Sequence, residues 1–315
     1  MYERLLARCK TPNEVNRLHI ALENRLTPVE IEDICRSESM LVLRANALAA
    51  WVRRRLVASK PTDGSHAWKL QMQHLAACSG GKISEPYSRR RIGQSMIFYS
   101  GSNESTTKRL IVCFTGGFQR MMVPAPSFLQ NLPASRYDVL VLKDARRQGY
   151  AEGLPDVPGG FEGLVSAVRS IADRASYASV VSLGTSLGGL PALVVATRLG
   201  FDKGVSIGGI GRDRDKYAAA TMAATLEEFQ HSGANLLLVY GSDNQRDRKA
   251  ARSFEGLASV RLLEVQGRAK EKIGHNPLHR LLLKRKLAMF LDRALDPSAP
   301  GYAGPTGEHA SVLEI

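Results

Sequence analysis

The feature that most constrains this chain is a serine lying between a strand-like segment and a helical one. The run Val180–Gly189 reads Val-Val-Ser-Leu-Gly-Thr-Ser-Leu-Gly-Gly, and the helical pattern Leu190–Ala196 follows it directly. Ser186 therefore has a glycine two residues before it and two residues after it. A tight strand-to-helix turn strains the serine backbone, and only residues without side chains let the strand and helix close. The G-x-S-x-G string in this context predicts an exposed nucleophile.

The first part of the chain is dominated by helix-start patterns, and the part that follows by strand patterns. Thr11 and Thr27 each precede a proline and stand three residues before a glutamate, which is typical of a capped helix start. From about Arg90 onward, strand-like runs alternate with helical patterns, which predicts a largely parallel sheet covered by helices. We therefore expect a helical N-terminal domain over 1–84, an α/β domain over 90–295 and a disordered tail, rich in proline and glycine, over 296–315.

Hydrophobic periodicity gives approximate bounds for the individual elements. Strands are predicted over 95–100, 110–114, 137–142, 179–183, 204–207, 235–240 and 260–265. Helices are predicted over 161–174, 187–199, 216–231, 247–254 and 278–294. In the N-terminal part we expect a helix over 31–57, a break at 61–64 and a short helix over 68–77. Only a short segment separates the first two strands, which favours an antiparallel hairpin between them.

Composition is typical of a cytoplasmic enzyme. The 315 residues are 44% hydrophobic, and no apolar run reaches the roughly 18 residues of a membrane span. Charged residues interrupt the apolar positions at the N-terminus, so no signal-peptide pattern is expected there. The cysteines Cys9, Cys35, Cys78 and Cys113 lack C-x-x-C spacing and are expected to be reduced thiols. We therefore expect a cytoplasmic location.

The formal net charge of +13 admits two interpretations. Basic clusters occur at 53–55, 89–91, 146–147 and 284–286. They are explained either as solvated helix faces or as sites for an anionic partner. No nucleic-acid recognition motif accompanies them, and aromatic residues, at 6% of the chain, are too sparse for base-stacking platforms. We therefore expect no nucleic-acid partner.

With the serine turn placed on this strand order, the chain resembles the α/β-hydrolase family over roughly residues 90–294. The resemblance implies a mostly parallel sheet with a nucleophile, an acid and a histidine in that order along the chain. Ser186 matches the nucleophile. The base is expected in the loop before the last helix, where His275 stands in Lys-Ile-Gly-His-Asn-Pro. His279 is interpreted as a helix-surface or packing residue, and His309, in the tail, is not expected to be catalytic.

The acid of the triad is expected after the strand over 235–240. Family members often place it three residues after a glycine, but that position, counted from Gly241, is Asn244 here. A carboxylate nearby could hold the imidazole in its correct tautomer and stabilise its protonated form. We predict Asp243 as this carboxylate and keep Asp247 as the alternative, since Asp247 is equally explained as a charge at a helix N-terminus.

Oxyanion donors are expected from two places. The amide of Leu187 follows the nucleophile directly. The second donor is expected after the strand over 110–114, in Thr-Gly-Gly-Phe-Gln, which resembles the family's His-Gly-Gly loop with Thr115 in place of histidine. Gly117 and Phe118 are the two candidates, and the sequence does not decide between them. A glycine pair that merely ends a strand is the structural alternative.

The sequence thus predicts a serine hydrolase that acts on an ester through an acyl-enzyme, with no cofactor and no metal. The expected substrate is a small-molecule or glycan ester, with an anionic group suggested by Arg146 and Arg147 after the third predicted strand. An acyltransferase would use the same residues. A non-catalytic protein that binds through the basic helical domain is the alternative of another class. No inserted cap is visible after the fifth strand, so the N-terminal helices are also a hypothetical cover for the site.

Overall fold

The part of the chain described by the structure, a computed structural model, is residues 2–36, 61–80, 86–101, 107–173, 176–209, 229, 235–268, 271–298 and 310–315. The predicted helix over 216–231 lies outside these ranges except at Phe229. His309 lies outside them too, as does the predicted helix over 31–57 beyond Arg36. No helix within the described ranges is both long enough and apolar enough to cross a bilayer.

A single mixed sheet organises the described residues. Its strands are β1 (Ser88–Ile92), β2 (Met96–Ser100), β3 (Arg109–Phe114), β4 (Tyr137–Leu142), β5 (Ser179–Thr185), β6 (Lys203–Ile207), β7 (Asn235–Gly241), β8 (Val260–Gln266) and β9 (Ala310–Glu314). They lie in the order β1-β2-β4-β3-β5-β6-β7-β8-β9. β2 runs antiparallel to β1 and β4, whereas every other neighbouring pair is parallel.

Helices cover both faces of this sheet. They are α1 (Tyr2–Leu6), α2 (Pro12–Glu23), α3 (Pro28–Arg36), α4 (Pro61–Cys78), α5 (Ala125–Gln130), α6 (Gly160–Ile171), α7 (Gly189–Leu199), α8 (Gln245–Arg252), α9 (Pro277–Leu283) and α10 (Leu287–Ala294). β3, β4 and β5 are buried along almost their whole length, as expected of interior parallel strands. The predicted fold class, an α/β-hydrolase-type mostly parallel sheet flanked by helices, is confirmed.

The strand register sets the position of the functional edge. Phe114 lies opposite both Leu142 and Gly184, so β3, β4 and β5 end at the same level. The chain also changes the direction in which it adds strands at β3, because the next strand, β4, lies on one side of β3 and the following one, β5, lies on the other. Loops that leave the carboxyl ends of parallel strands at such a reversal form the usual binding crevice of open α/β sheets.

The N-terminal helices share a hydrophobic core with one face of the sheet. Leu22 of α2 and Trp68 and Met72 of α4 belong to the same buried cluster as Ile111 and Val139 of the central strands. Thr11 caps α2 with the predicted reciprocal bonds, its hydroxyl accepting from the amide of Glu14 and its own amide donating to that carboxylate. The helical character predicted for residues 11–23 is thus confirmed.

The strand pairing corrects one prediction. The strand over 96–100 does not form a hairpin with β3; it pairs with β1, which was not predicted, and with β4. β3 is apolar towards both faces and is therefore most stable in the sheet interior, between two parallel neighbours. β1 carries three consecutive arginines and lies at the sheet edge, where charged side chains reach solvent.

The helix bounds differ from the predictions at two positions, one marked by a proline and one by three basic residues. Pro61 begins α4 and does not end a helix, in keeping with the fixed φ of proline at a first helical position. The predicted helix over 278–294 is two helices, α9 and α10, separated at 284–286, where Arg285 adopts a left-handed φ of 57°.

The chain terminus also departs from the prediction of a disordered tail. Residues 310–314 form β9, which extends the sheet beyond β8. The amide of Ile315 donates to the carbonyl of Gln266, and its own carbonyl accepts from the amide of Arg268. The Ile315 side chain is only 3% exposed. The Pro/Gly-rich composition that suggested disorder belongs to the residues before this strand.

Replacement of Ile315 tests this docking. We expect Ile315→Ala to lower the free energy of unfolding by about 2 kcal/mol, because it removes most of a fully buried aliphatic side chain. Val312→Ala, on the same strand but 55% exposed, is the matched control and should change it by less than about 0.5 kcal/mol. Urea denaturation measures both. Equal effects of the two substitutions would contradict a buried Ile315.

Candidate active site

Ser186 lies on a sharp turn between β5 and α7. Its φ is 51°, in the left-handed region that residues with a Cβ avoid. A Cβ at Gly184 would lie 1.9 Å from the carbonyl oxygen of Gly188, and one at Gly188 would lie 2.2 Å from that of Phe114. Neither position therefore tolerates a side chain. The predicted serine turn is present with the backbone strain that such a turn requires.

His275 lies in the loop between β8 and α9 and connects Ser186 to a carboxylate. Its Nε2 is 3.0 Å from Ser186 Oγ, and its Nδ1 is 2.7 Å from Asp247 Oδ2. A carboxylate only accepts hydrogen bonds, so the Nδ1–H donates to Asp247 in the neutral ring. Nε2 is then the acceptor for the serine hydroxyl. This is the tautomer that a histidine needs in order to take a proton from serine.

Asp247 is fixed by the first turn of α8. Asn244 is the N-cap residue: its Oδ1 accepts from the amide of Asp247 at 3.1 Å, and its Nδ2 donates to Asp247 Oδ2 at 2.8 Å. Asp247 is 5% exposed, whereas the His275 side chain is half exposed. A helix N-terminus also favours negative charge. The two bonds to Asn244 thereby hold the carboxylate in place beside Nδ1 of the imidazole.

Asp243, the predicted acid, has no hydrogen bond to His275 within the described ranges; the alternative, Asp247, is the carboxylate that bonds to the ring. Asp243 Oδ2 accepts from the amide of Ile273 at 2.9 Å and from the hydroxyl of Ser242 at 2.8 Å. The amide of Asp243 in turn donates to the carbonyl of Ile273. The residue lies at the turn before α8, so its side chain reaches the backbone of the loop that carries His275. The hydrogen bond from the Ile273 amide, together with that from the Ser242 hydroxyl, lowers the pKa of Asp243.

Asp247 raises the pKa of His275 above the usual value of 6.5. The main cause is the hydrogen bond from Nδ1 to Asp247, supported by the charge of that carboxylate. Burial of the ring and the positive charge of Arg246 act in the opposite direction, and they are outweighed. The protonated imidazole is thus stabilised at this position.

The loop after β3 forms a tight turn against the serine. The amide of Gln119 donates to the carbonyl of Gly116 at 2.8 Å, and the amide of Gly116 donates to the carbonyl of Arg120 at 3.2 Å. Gln119 has a left-handed φ of 56°. A Cβ on Gly116 would lie 3.2 Å from the Cβ of Ser186. Residues 116–120, called the β3 turn below, therefore lie directly beside the candidate nucleophile.

Two of the predicted oxyanion donors, Leu187 and Gly117, lie beside the serine turn. A Cβ on Gly117 would lie 3.3 Å from Leu187 Cδ1, which brings the β3 turn and the serine turn into contact. Within the described ranges, no acceptor pairs with the amides of Gly117 and Phe118. Leu187 is in the first turn of a helical segment, where amides lack intrahelical partners. The Thr115 side chain is turned towards β4 and not towards Ser186, because its hydroxyl donates to the carbonyl of Leu142.

His279 and the loop that carries Arg146 and Arg147 lie outside the hydrogen-bonded series of Ser186, His275 and Asp247. His279 is on α9, where its amide is capped by Asn276, and burial lowers the pKa of its ring. The loop after β4, which carries Arg146 and Arg147, is organised by the buried Asp144 and reaches the serine turn at Gly149. Among the described residues, no cluster of three His, Cys, Asp or Glu side chains could hold a metal ion.

Comparisons with known proteins identify similar folds. No protein-family model and no curated protein sequence matches this chain. A crystal structure of 2,6-dihydroxy-pseudo-oxynicotine hydrolase is similar at 19% identity and a TM-score of 0.48, covering 90% of each chain. Carboxylesterase CesB from Bacillus subtilis is similar at 11% identity and a TM-score of 0.44, covering 71% of this chain and 94% of its own. Brefeldin A esterase, a bacterial homologue of human hormone-sensitive lipase, is similar at 15% identity and a TM-score of 0.45, with 71% and 84% coverage.

The contact between Asp247 and His275 predicts how substitution of the carboxylate changes the pKa of the imidazole. We expect Asp247→Asn to lower the pKa of His275, because the amide cannot stabilise the charged ring as a carboxylate does. Asp243→Asn is the matched control and should leave that pKa close to the wild-type value. NMR titration of the His275 ring protons measures both. A larger shift in the Asp243 variant would reverse the assignment.

Proposed function

We propose that the protein is a serine hydrolase that cleaves an ester or a related acyl bond through an acyl-enzyme on Ser186. The observation that carries the proposal is the continuous hydrogen-bonded series from Asp247 through His275 to Ser186, with distances of 2.7 and 3.0 Å. Serine is a weak nucleophile at neutral pH unless a base takes its proton. A histidine oriented by a buried carboxylate, beside free amides, is the arrangement that serves this chemistry.

Each residue has a defined role in the proposed reaction. Ser186 Oγ attacks the carbonyl carbon, and its proton passes to His275 Nε2. The negative charge on the carbonyl oxygen is stabilised by the amides of Leu187 and of Gly117 or Phe118. Protonated His275 then donates its proton to the leaving oxygen as the ester bond breaks. Water repeats these steps on the acyl-enzyme, releasing the acid and restoring the serine hydroxyl.

The proposed substrate is a small-molecule or glycan ester that carries a negative charge. The net charge of +13 and the arginines near the site support this class. Arg246 is close enough to His275 to lower the pKa of its ring. Arg146 and Arg147 are exposed on the loop that reaches the serine turn. Positive charge around a site raises the local concentration of anionic substrates at low ionic strength.

Replacement of Ser186 tests the proposed chemistry. We expect the wild-type protein to react with a fluorophosphonate probe and Ser186→Ala to lose both labelling and ester turnover, with thermal stability nearly unchanged. His275→Ala should lower turnover by about 10⁴-fold or more, because nucleophile and base act as a unit. His279→Ala is the matched control and should keep most of the turnover. An active Ser186→Ala variant would contradict the proposal.

Product analysis with an added alcohol separates hydrolysis from acyl transfer. The same residues would serve an acyltransferase, in which a hydroxyl acceptor replaces water. A hydrolase releases the free acid as its main product. A transferase forms the new ester instead and turns over slowly without the acceptor.

A pair of esters that differ only in charge tests the substrate class. We expect Arg246→Gln to raise the KM for the anionic ester about fivefold at low salt, because it removes roughly one exposed contact between the arginine and the negative charge of the substrate. The KM for the neutral ester should not change, and the difference should fade at high salt. Arg252→Gln, at the far end of α8, removes the same charge and is the control. Equal effects of both substitutions would indicate a net-charge effect without a local contact.

A further inference from the structure

The end of helix α2 contacts the β3 turn from outside the sheet. Asn24, the C-cap residue of α2, donates from Nδ2 to the carbonyl oxygen of Phe118 at 3.1 Å. Glu23, the last residue of α2, accepts at Oε2 from Arg120 Nη1 at 2.8 Å. The two contacts lie on either side of Gln119, the residue with the strained backbone. Adjacent N-terminal residues therefore hold both halves of the turn.

Glu23 is itself held firmly. Its side chain is 10% exposed, and its second oxygen, Oε1, accepts from Trp68 Nε1 of α4 at 2.8 Å. The Trp68 ring stacks on His19 with the ring centroids 4.4 Å apart. A carboxylate buried to this degree is retained only where hydrogen bonds and charge compensate for lost hydration. Both of its oxygens are engaged, so the carboxylate provides a fixed anchor for the Arg120 side chain.

Arg120 transmits this restraint to the neighbourhood of Ser186. Its carbonyl oxygen accepts from the amide of Gly116 at 3.2 Å and from the hydroxyl of Thr185 at 3.3 Å. Thr185 is the residue directly before Ser186. The side chain of Arg120 is thus bonded to α2 while its backbone closes the β3 turn against the end of β5. Displacement of Arg120 would move the amides of Gly117 and Phe118 relative to the serine.

We propose that Glu23 and Asn24 are positioning residues for the oxyanion-binding turn, acting through Arg120 and the Phe118 carbonyl. The inference rests on the proposed function, because the position of the β3 turn affects turnover only if its amides stabilise an oxyanion. Oxyanion donors act over a narrow range of distances, about 2.7–3.1 Å. A turn with a left-handed glutamine needs external contacts to keep that geometry. The N-terminal helices are then part of the reaction machinery.

Glu23→Gln tests the proposal in the full-length protein. The amide retains an acceptor for Trp68 but loses the ionic contact with Arg120. We expect kcat to fall about 10- to 100-fold, the effect of a small misplacement of reacting groups, with KM within about threefold of wild type. The Ki of an alkyl trifluoromethyl ketone, which forms an oxyanion on the serine, should rise by the same factor as kcat/KM falls. Enzyme concentration is set by fluorophosphonate active-site titration.

Glu30→Gln is the matched control. Glu30 on α3 also contacts the sheet through an arginine, Arg89 of β1, at 2.9 Å, and its second oxygen also accepts from a neighbour, the amide of Thr27. Among the described residues, neither Glu30 nor Arg89 hydrogen-bonds to the β3 turn; the Arg89 side chain also donates to the carbonyl of Arg25. The kcat should therefore stay within about twofold of wild type. A purely structural role of Glu23 predicts that both substitutions lower the melting temperature with kcat unchanged.

Arg120→Gln and the double substitution test whether Glu23 acts through Arg120. We expect the double variant Glu23→Gln/Arg120→Gln to be no slower than the slower single variant, because both remove one interaction. Multiplied effects would overturn the route through Arg120. The Arg120 side chain is one-third exposed, so this variant provides a measurement even if Glu23→Gln does not fold.

The outcomes separate this inference from the proposed function. A wild type without Ser186-dependent labelling and turnover overturns both. An active wild type whose Glu23→Gln variant keeps full kcat and full affinity for the ketone overturns the positioning role alone. A fall in kcat for Glu23→Gln but not for Glu30→Gln, with weaker ketone binding, supports it.

Discussion

The close approach of β5 and α7 is the constraint on which the rest of the site depends. The backbones of Gly184 and Gly188 are so close that a single added Cβ would collide with a carbonyl oxygen. This contact holds Ser186 at a φ of 51° and presents its hydroxyl at the carboxyl edge of the sheet. β5 lies in the middle of the strand order. The loop after β3 therefore reaches the serine from one side and the loops after β7 and β8 from the other, each carrying one part of the arrangement.

The two candidate carboxylates after β7 differ in what their surroundings let them do. Asp243 is exposed and bonded to the backbone of Ile273, in the loop that carries His275, so water screens its charge. Asp247 is buried, and besides the ring it is bonded to the Asn244 side chain. A buried, directionally fixed charge acts on the imidazole with little screening. The difference between the two carboxylates therefore follows from their burial, and not from how close each lies to the end of β7 in the sequence.

Most of the sheet was predictable because its strands are continuous apolar runs. Ser186 was predicted from the G-x-S-x-G turn, and His275 from the resemblance to the α/β-hydrolase family. The pairing of β2 depends on long-range contacts that local periodicity does not encode. Asp247 was kept only as the alternative acid, because an N-cap asparagine three residues before an acid is also an ordinary helix-start signal. β9 was missed because composition was averaged over the tail, and its five residues are held by the edge of β8.

The packing of the N-terminal helices argues against a separable binding module. Such a module usually meets its neighbour through a polar interface. Here Trp68 and Met72 are at most 5% exposed and belong to the same cluster as Ile111 at the centre of the sheet. The Trp68 indole in turn bonds to Glu23, one residue from the contact with Phe118. Burial of one aromatic ring thus fixes a carboxylate that reaches the β3 turn, so folding of the N-terminal part and the geometry beside Ser186 depend on the same contacts.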